Sequence, residues 1–233
     1  MTSRIDPTRT IEGATLARAE IATLIAKAEG GALRLVDSIL DEADLSDLDL
    51  AGWHFERCSL RRTDLTKANL ERTQWLSCRA PFASFFGADL AEATFQSCDI
   101  NNANLRQTCL MSARLTGCKL TGADLTEARI IDLSCEEVLL AGARLTGLSF
   151  RKMRLRRLDF SQADLRKADL REASFEACSL RDALLTGARF DKADLRGADL
   201  GGLKLVDAAL FRGATISREQ AAQLLAELGL RLG

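Results

Sequence analysis

Ala163-Asp164-Leu165-Arg166-Lys167-Ala168-Asp169-Leu170-Arg171-Glu172 is one pattern written twice. Each half runs small residue, carboxylate, leucine and two polar residues, and the same spacing extends in both directions. From Leu35 to Leu210 every fifth residue gives 36 positions, of which 31 are Leu or Phe; Trp75, Ala80, Ile100, Ile130 and Cys135 are the exceptions. Two residues before each of these, 27 of the 36 positions hold Ala, Ser, Thr or Cys. The unit is therefore small, polar, large, polar, then polar or Gly, and its register is unbroken over that span.

A five-residue period decides the architecture. Side chains of a flat strand alternate between faces, so an odd repeat would turn the apolar set outward at each unit. A corner in every unit keeps that set inward. If the small and large residues both point in and the next two turn the chain, four units close a square coil. Nine such coils at strand spacing make a rod roughly 43 Å tall. Residues 20 apart then stack, which puts Cys58, Cys78, Cys98 and Cys118 in one column that Cys178 rejoins after Val138 and Leu158. These thiols are expected to fill the core as small hydrophobes. No CxxC or His-containing spacing forms a metal site, and no cofactor motif is present.

The units ADLTE (123–127), ADLRK (163–167), ADLRE (168–172) and ADLRG (193–197) resemble the pentapeptide-repeat family, whose consensus is A(D/N)LXX. The resemblance covers about three quarters of the chain. It implies an all-β solenoid, a right-handed quadrilateral β-helix of about nine four-sided coils; the periodicity alone leaves the handedness open.

A solenoid exposes its core at both ends and needs caps. Ser217 and Gln220 have capping-box spacing, and Ala221, Leu224, Leu225 and Leu228 behind them lie on one helical face. Gly13-Ala14-Thr15-Leu16-Ala17-Arg18 matches Gly213-Ala214-Thr215-Ile216-Ser217-Arg218 at an offset of 200. The first segment is read as a helix over 15–29 ended by Gly30-Gly31, or else as two degenerate repeats, Ala14-Thr15-Leu16 and Ala19-Glu20-Ile21. The expected organisation is an N-terminal cap (1–32), the β-helix (33–214) and a C-terminal capping helix (215–233).

Two irregularities stand out. Between 129 and 158 the small position holds Leu133, Val138, Leu148, Met153 and Leu158, while Cys135 replaces a large residue. This reads as compensation of core volume, against the alternative of a widened coil. Leu76, Phe82, Phe86, Met111, Ile131, Leu139, Leu184 and Phe211 fall on outward positions. Phe82 and Phe86, beside Pro81, are the side-surface contact candidates.

Chemistry and charge narrow the function. With one histidine, His54, on an outward position and no tyrosine, no nucleophile, base and orienter can be assembled. The recurrent Asp residues are expected to solvate the walls. An enzyme is not expected. The 32 basic and 33 acidic residues nearly cancel, so direct nucleic-acid binding is not expected either. A local belt of Arg151, Lys152, Arg154, Arg156 and Arg157 is a candidate for an acidic partner. No signal-peptide pattern or membrane-length apolar run occurs, which predicts a cytoplasmic protein.

The segment ISREQAAQLLAELGLRLG (216–233) is similar to the C-terminal helix of the quinolone-resistance members of the family. That resemblance implies a homodimer with Phe211, Leu224, Leu225, Leu228 and Leu230 at its interface, and a DNA-mimicking action on DNA gyrase or topoisomerase IV. The mixed charge of the walls and the basic belt depart from a duplex mimic. The alternatives are a general protein-binding module with an unrelated cytoplasmic partner and an accessory domain of an enzyme.

Overall fold

The computed structural model describes residues 10–28, 31–202, 209–227 and 229–230. One face of the rod is a parallel ten-stranded sheet in sequential order. Its strands are β1 (Thr10–Glu12), β2 (Arg34–Val36), β3 (His54–Glu56), β4 (Gln74–Leu76), β5 (Thr94–Gln96), β6 (Arg114–Thr116), β7 (Ser134–Glu136), β8 (Arg154–Arg156), β9 (Ser174–Ser179) and β10 (Asp194–Asp199). From β2 to β9 the register pairs residues 20 apart, as in Leu35 with Phe55 and Phe55 with Trp75, and β10 keeps that offset on β9 except at a bulge where Gly197 faces Glu176. Bridges such as Asp44 with Asp64 and Asp49 with Asn69 keep that offset on other faces. The chain is a quadrilateral β-helix, as its period predicts.

Every unit follows one backbone course. The second residue after the large one has positive φ, whether glycine (Gly122, φ 69°) or not (Lys67, 57°; Lys167, 60°), except at Gly197, where β10 bulges. Left-handed backbone costs an L-residue about 1 kcal/mol, and each corner is held against that cost. The N–H of Lys67 donates to Phe86 O at 2.8 Å in the next coil, and that of Ala68 closes back on Leu65 O at 3.1 Å. The carboxylate preceding the large residue braces the same corner. Asp124 Oδ1 accepts the Thr126 N–H at 3.0 Å, and Asp164 Oδ1 accepts the Arg166 N–H at 3.1 Å. These aspartates therefore do more than solvate the wall: they form Asx turns that favour the corner.

Inside, the large residues form columns. Phe55, Trp75 and Phe95 stack with centroid separations of 4.1 and 5.4 Å. The predicted thiol column is present, with every sulfur close to a carbonyl of the preceding coil, such as Cys78 Sγ to Phe55 O at 3.3 Å. All seven cysteines are free. Contact with neighbouring thiols and burial push Cys78 and Cys118 upward, so these two sulfurs stay protonated.

The ends share one device. Thr15 bridges to Ile39 and Thr215 to Asp194, and helices α1 (Arg18–Ala28) and α2 (Arg218–Glu227) begin 200 residues apart. Ala14-Thr15-Leu16 is thus a coil unit, whereas Ala19-Glu20-Ile21 lies in α1. Glu20 Oε2 accepts the Ala17 N–H at 3.0 Å, and Gln220 Oε1 accepts the Ser217 N–H at 2.6 Å. The register does not run unbroken to Leu210. Thr215 pairs with Asp194 at an offset of 21, and Phe211, not Leu210, stacks on Phe190 at 4.6 Å. The Ala214 N–H bond to Phe211 O repeats the contact that small residues make to the large residue three earlier. One residue is inserted in the last coil, while Leu205 and its neighbours at 203–208 lie outside the described residues.

The second departure is at 129–158. Neighbouring joints of this face carry Leu110 N–H to Arg129 O and Phe150 N–H to Asp169 O, both 2.8 Å. Among the described residues the equivalent Ile130 N–H to Ser149 O bond is not made. Nor are Asp132 to Arg151, Ser149 to Ala128 or Arg154 to Leu133. Strands β7 and β8 retain only the Glu136–Arg156 pair. The opposite faces stay closed, with Leu140 N–H to Asp159 O at 2.8 Å and Leu145 N–H to Asp164 O at 2.9 Å. The two coils therefore splay as a wedge. Leu133, Leu148 and Met153 stand where most other coils carry Ala or Thr, and overpacking displaces backbone; Cys135 compensates only in part.

The corner carboxylates give a pH dependence. Hydrogen bonding to the Arg166 guanidinium, more than the Arg166 N–H, lowers Asp164 from 3.8 to about 2. Because the folded value is depressed, its contribution is present above the unfolded value of 3.8 and is lost as pH falls towards about 2. Asp164→Asn should therefore lose less of its urea midpoint than the wild type when pH is lowered from about 5 to about 2.5. Equal losses would show that the corner contributes nothing.

Candidate interaction surfaces

At the C-terminal end α2 lies over the last coil. Gln220, itself buried, donates from Nε2 to Leu195 O and Ala198 O, both at 2.6 Å. It occupies carbonyls of a coil with no regular coil above it. Sequence reading gives Gln220 only its capping-box role, because its second role depends on where the coil ends. The five residues assigned to a dimer interface divide. Leu224 packs against the core cluster and Leu225 is half-buried. Leu230 is 56% exposed beyond the helix. Phe211, expected on the outside, instead serves as the last inward residue; Leu228 lies outside the described residues.

Phe82 and Phe86 stand at the two ends of the short wall Ala83–Phe85. Phe82 is 56% exposed and occupies the left-handed corner at φ 61°, an outlier for a bulky aromatic side chain. Phe86 is half-buried. The left-handed corner belongs to the fold, so it is the exposure of the ring that makes Phe82 a contact candidate.

The basic belt is less basic than it reads. Arg151 and Lys152 share Glu172, at 2.7 and 3.8 Å. Arg156 reaches Glu136 and Glu176, and Arg157 reaches Glu136 and Glu137. Among the described residues only Arg154 of the five makes no ion pair. Successive coils place each cation against a carboxylate about 20 residues away, a pairing that a linear count of charge cannot show. His54 is half-buried, and burial, then Arg34, lowers its pKa, so it is neutral at pH 7. The described residues contain no cluster of three potential metal ligands and no helix long and apolar enough to cross a membrane.

A model of pentapeptide repeats matches the chain in eight copies over residues 38–73, 82–117, 108–147, 134–172 and 168–217. The chain belongs to the pentapeptide-repeat family. No curated protein matches its sequence significantly. Among solved structures it is similar to full-length QnrB1, a plasmid-mediated fluoroquinolone resistance protein, with TM-score 0.70 and 20% identity over 86% of this chain and 100% of that one. A trypsin-treated variant of QnrB1 gives 0.62 and 22%, over 87% and 100%. At these identities the likeness establishes the shared β-helix.

Phe82→Asn places a side chain that tolerates left-handed backbone at the strained corner. It should raise stability by about 1 kcal/mol, read as a higher urea midpoint. A lower midpoint would mean that the ring is a packing element and not a contact kept at a cost.

Proposed function

We propose that this protein is a non-enzymatic protein-binding scaffold that dimerises through its C-terminal end and acts on a type II topoisomerase, DNA gyrase or topoisomerase IV. The division into a β-helix over 33–214 with capping segments at 1–32 and 215–233 belongs to this reading. The observation that carries it is the rod itself: coil after coil encloses an apolar core and leaves walls and ends for contact. Likeness of that rod to a fluoroquinolone resistance protein supports the choice of partner, and exposed Leu230 beside half-buried Leu225 supports the dimer. The reading places the protein in the cytoplasm, a compartment that suits seven free thiols.

One observation favours a second reading, a general binding module with an unrelated partner. The walls are laced with ion pairs of both signs, whereas a duplex mimic presents one sign. Phe82, Phe86 and Arg154 would then be the principal contacts, with Arg151, Lys152, Arg156 and Arg157 at their margin.

Gyrase supercoiling with and without a fluoroquinolone separates the two. The first reading expects added protein to inhibit supercoiling or to relieve drug inhibition, and it fails if neither occurs at excess. Light scattering addresses the dimer independently: the wild type should have twice the mass of Leu230→Asp, a surface change that leaves the Leu224 packing intact. A monomeric wild type removes the dimer.

A further inference from the structure

The splayed joint opens a cleft of about 770 Å³ in the wall, within the range of pockets that hold peptides and small ligands. Arg129, Ile130 and Ile131 form one lip, and Leu148, Ser149 and Met153 lie on the other. The cleft floor is apolar. Ile130, Leu148 and Met153 also line a narrow void of about 20 Å³ on the rod axis. Ile131, 61% exposed, stands at the rim.

What distinguishes this cleft from an apolar groove is its backbone. The lip at 128–133 lacks the bonds from Ile130 N–H and Asp132 N–H and those to Ala128 O and Leu133 O, and the facing lip lacks their partners. Two parallel edges of the same sense thus face each other across the opening. Backbone groups without protein partners are free to take new ones, and one extended chain laid between the lips supplies both edges at once, by strand addition.

The side chains specify what that chain carries. Elsewhere on the wall a cation pairs with a carboxylate one coil away, as Arg144 does with Asp124 and Arg57 with Asp37. Exposed Arg129 makes no such pair among the described residues, since its neighbour one coil on is Ser149; of the two carboxylates that line the cleft, Glu127 accepts from Gln107 and Asp132 stands at the corner beyond Ile131. A strand inserted between them would put its outward residue beside Arg129 and its next residue over Ile130, Leu148 and Met153. We propose that the cleft binds an extended peptide of a partner protein bearing an acidic residue followed by leucine, which enters as an additional unit of the coil. This site is independent of any topoisomerase role.

The probe is a fluorescein-labelled hexapeptide of sequence Thr-Gly-Ala-Asp-Leu-Thr, the order found at residues 121–126, titrated into the full-length protein by anisotropy. Saturable binding is expected. The same peptide with Lys for Asp should bind about tenfold more weakly, and Arg129→Glu should reverse that preference. Amide exchange gives a second reading: Ile130, Ser149 and Arg154 should exchange faster than Leu110 and Leu170 in the free protein and slow when peptide is added. Absence of saturable binding, equal affinity for the Asp and Lys peptides, or protection of those amides in the free protein would each overturn the proposal. Because Arg129→Glu alters an exposed residue, loss of the fold does not confound the test.

Discussion

The left-handed residue at each corner is the constraint on which the structure depends. A square coil of five-residue units uses it at nearly every corner, and most sequence positions that supply it are not glycine. Most corners hold because the next coil receives their N–H, and in units such as those of Asp64 and Asp124 the carboxylate accepts a second backbone bond. Stability is therefore cooperative along the rod: a coil without neighbours would keep the strain and lose the bonds. The inward small and large residues follow from the same geometry, since only they can share a narrow square lumen.

Stacking at an offset of 20 also governs the surface. A charge on one wall lies against its counterparts in the coils above and below, so paired Arg and Asp or Glu neutralise one another locally and the belt at 151–157 is mostly compensated. Such exposed pairs contribute little individually, and they leave few unengaged groups on the walls. The features that stand apart are those where stacking is incomplete, namely the capped ends, the corner at Phe82 and the joint between the coils of Ile130 and Phe150.

Much of this was legible from spacing alone. The offset of 20 and the thiol column follow from residue periodicity, because close packing at the axis ties each position to one kind of residue; the N-terminal helix, expected over 15–29, begins only at Arg18 because Thr15 pairs with Ile39 as part of a coil. The one-residue insertion before Phe211 was hidden by Leu210, whose place in the five-residue series is correct although its neighbour takes the inward position. The splayed joint was signalled by Leu133, Leu148 and Met153, but volume counted along the chain could not tell compensation by Cys135 from separation of coils. That distinction depends on how side chains from two coils meet. The bracing role of Asp124 and Asp164 was missed because an outward polar residue looks alike whether it faces solvent or its own backbone.

The matching turn and helix at Gly13–Arg18 and Gly213–Arg218 bear on the chain's history. If both termini are closed by the same device and every interior coil meets only its neighbours, the number of coils is a free variable. Blocks of twenty residues can be duplicated or lost between the caps without redesigning either end, and the reach of the rod can be adjusted by steps of one coil. A joint with its own irregular packing would then mark a fixed landmark along an otherwise interchangeable series.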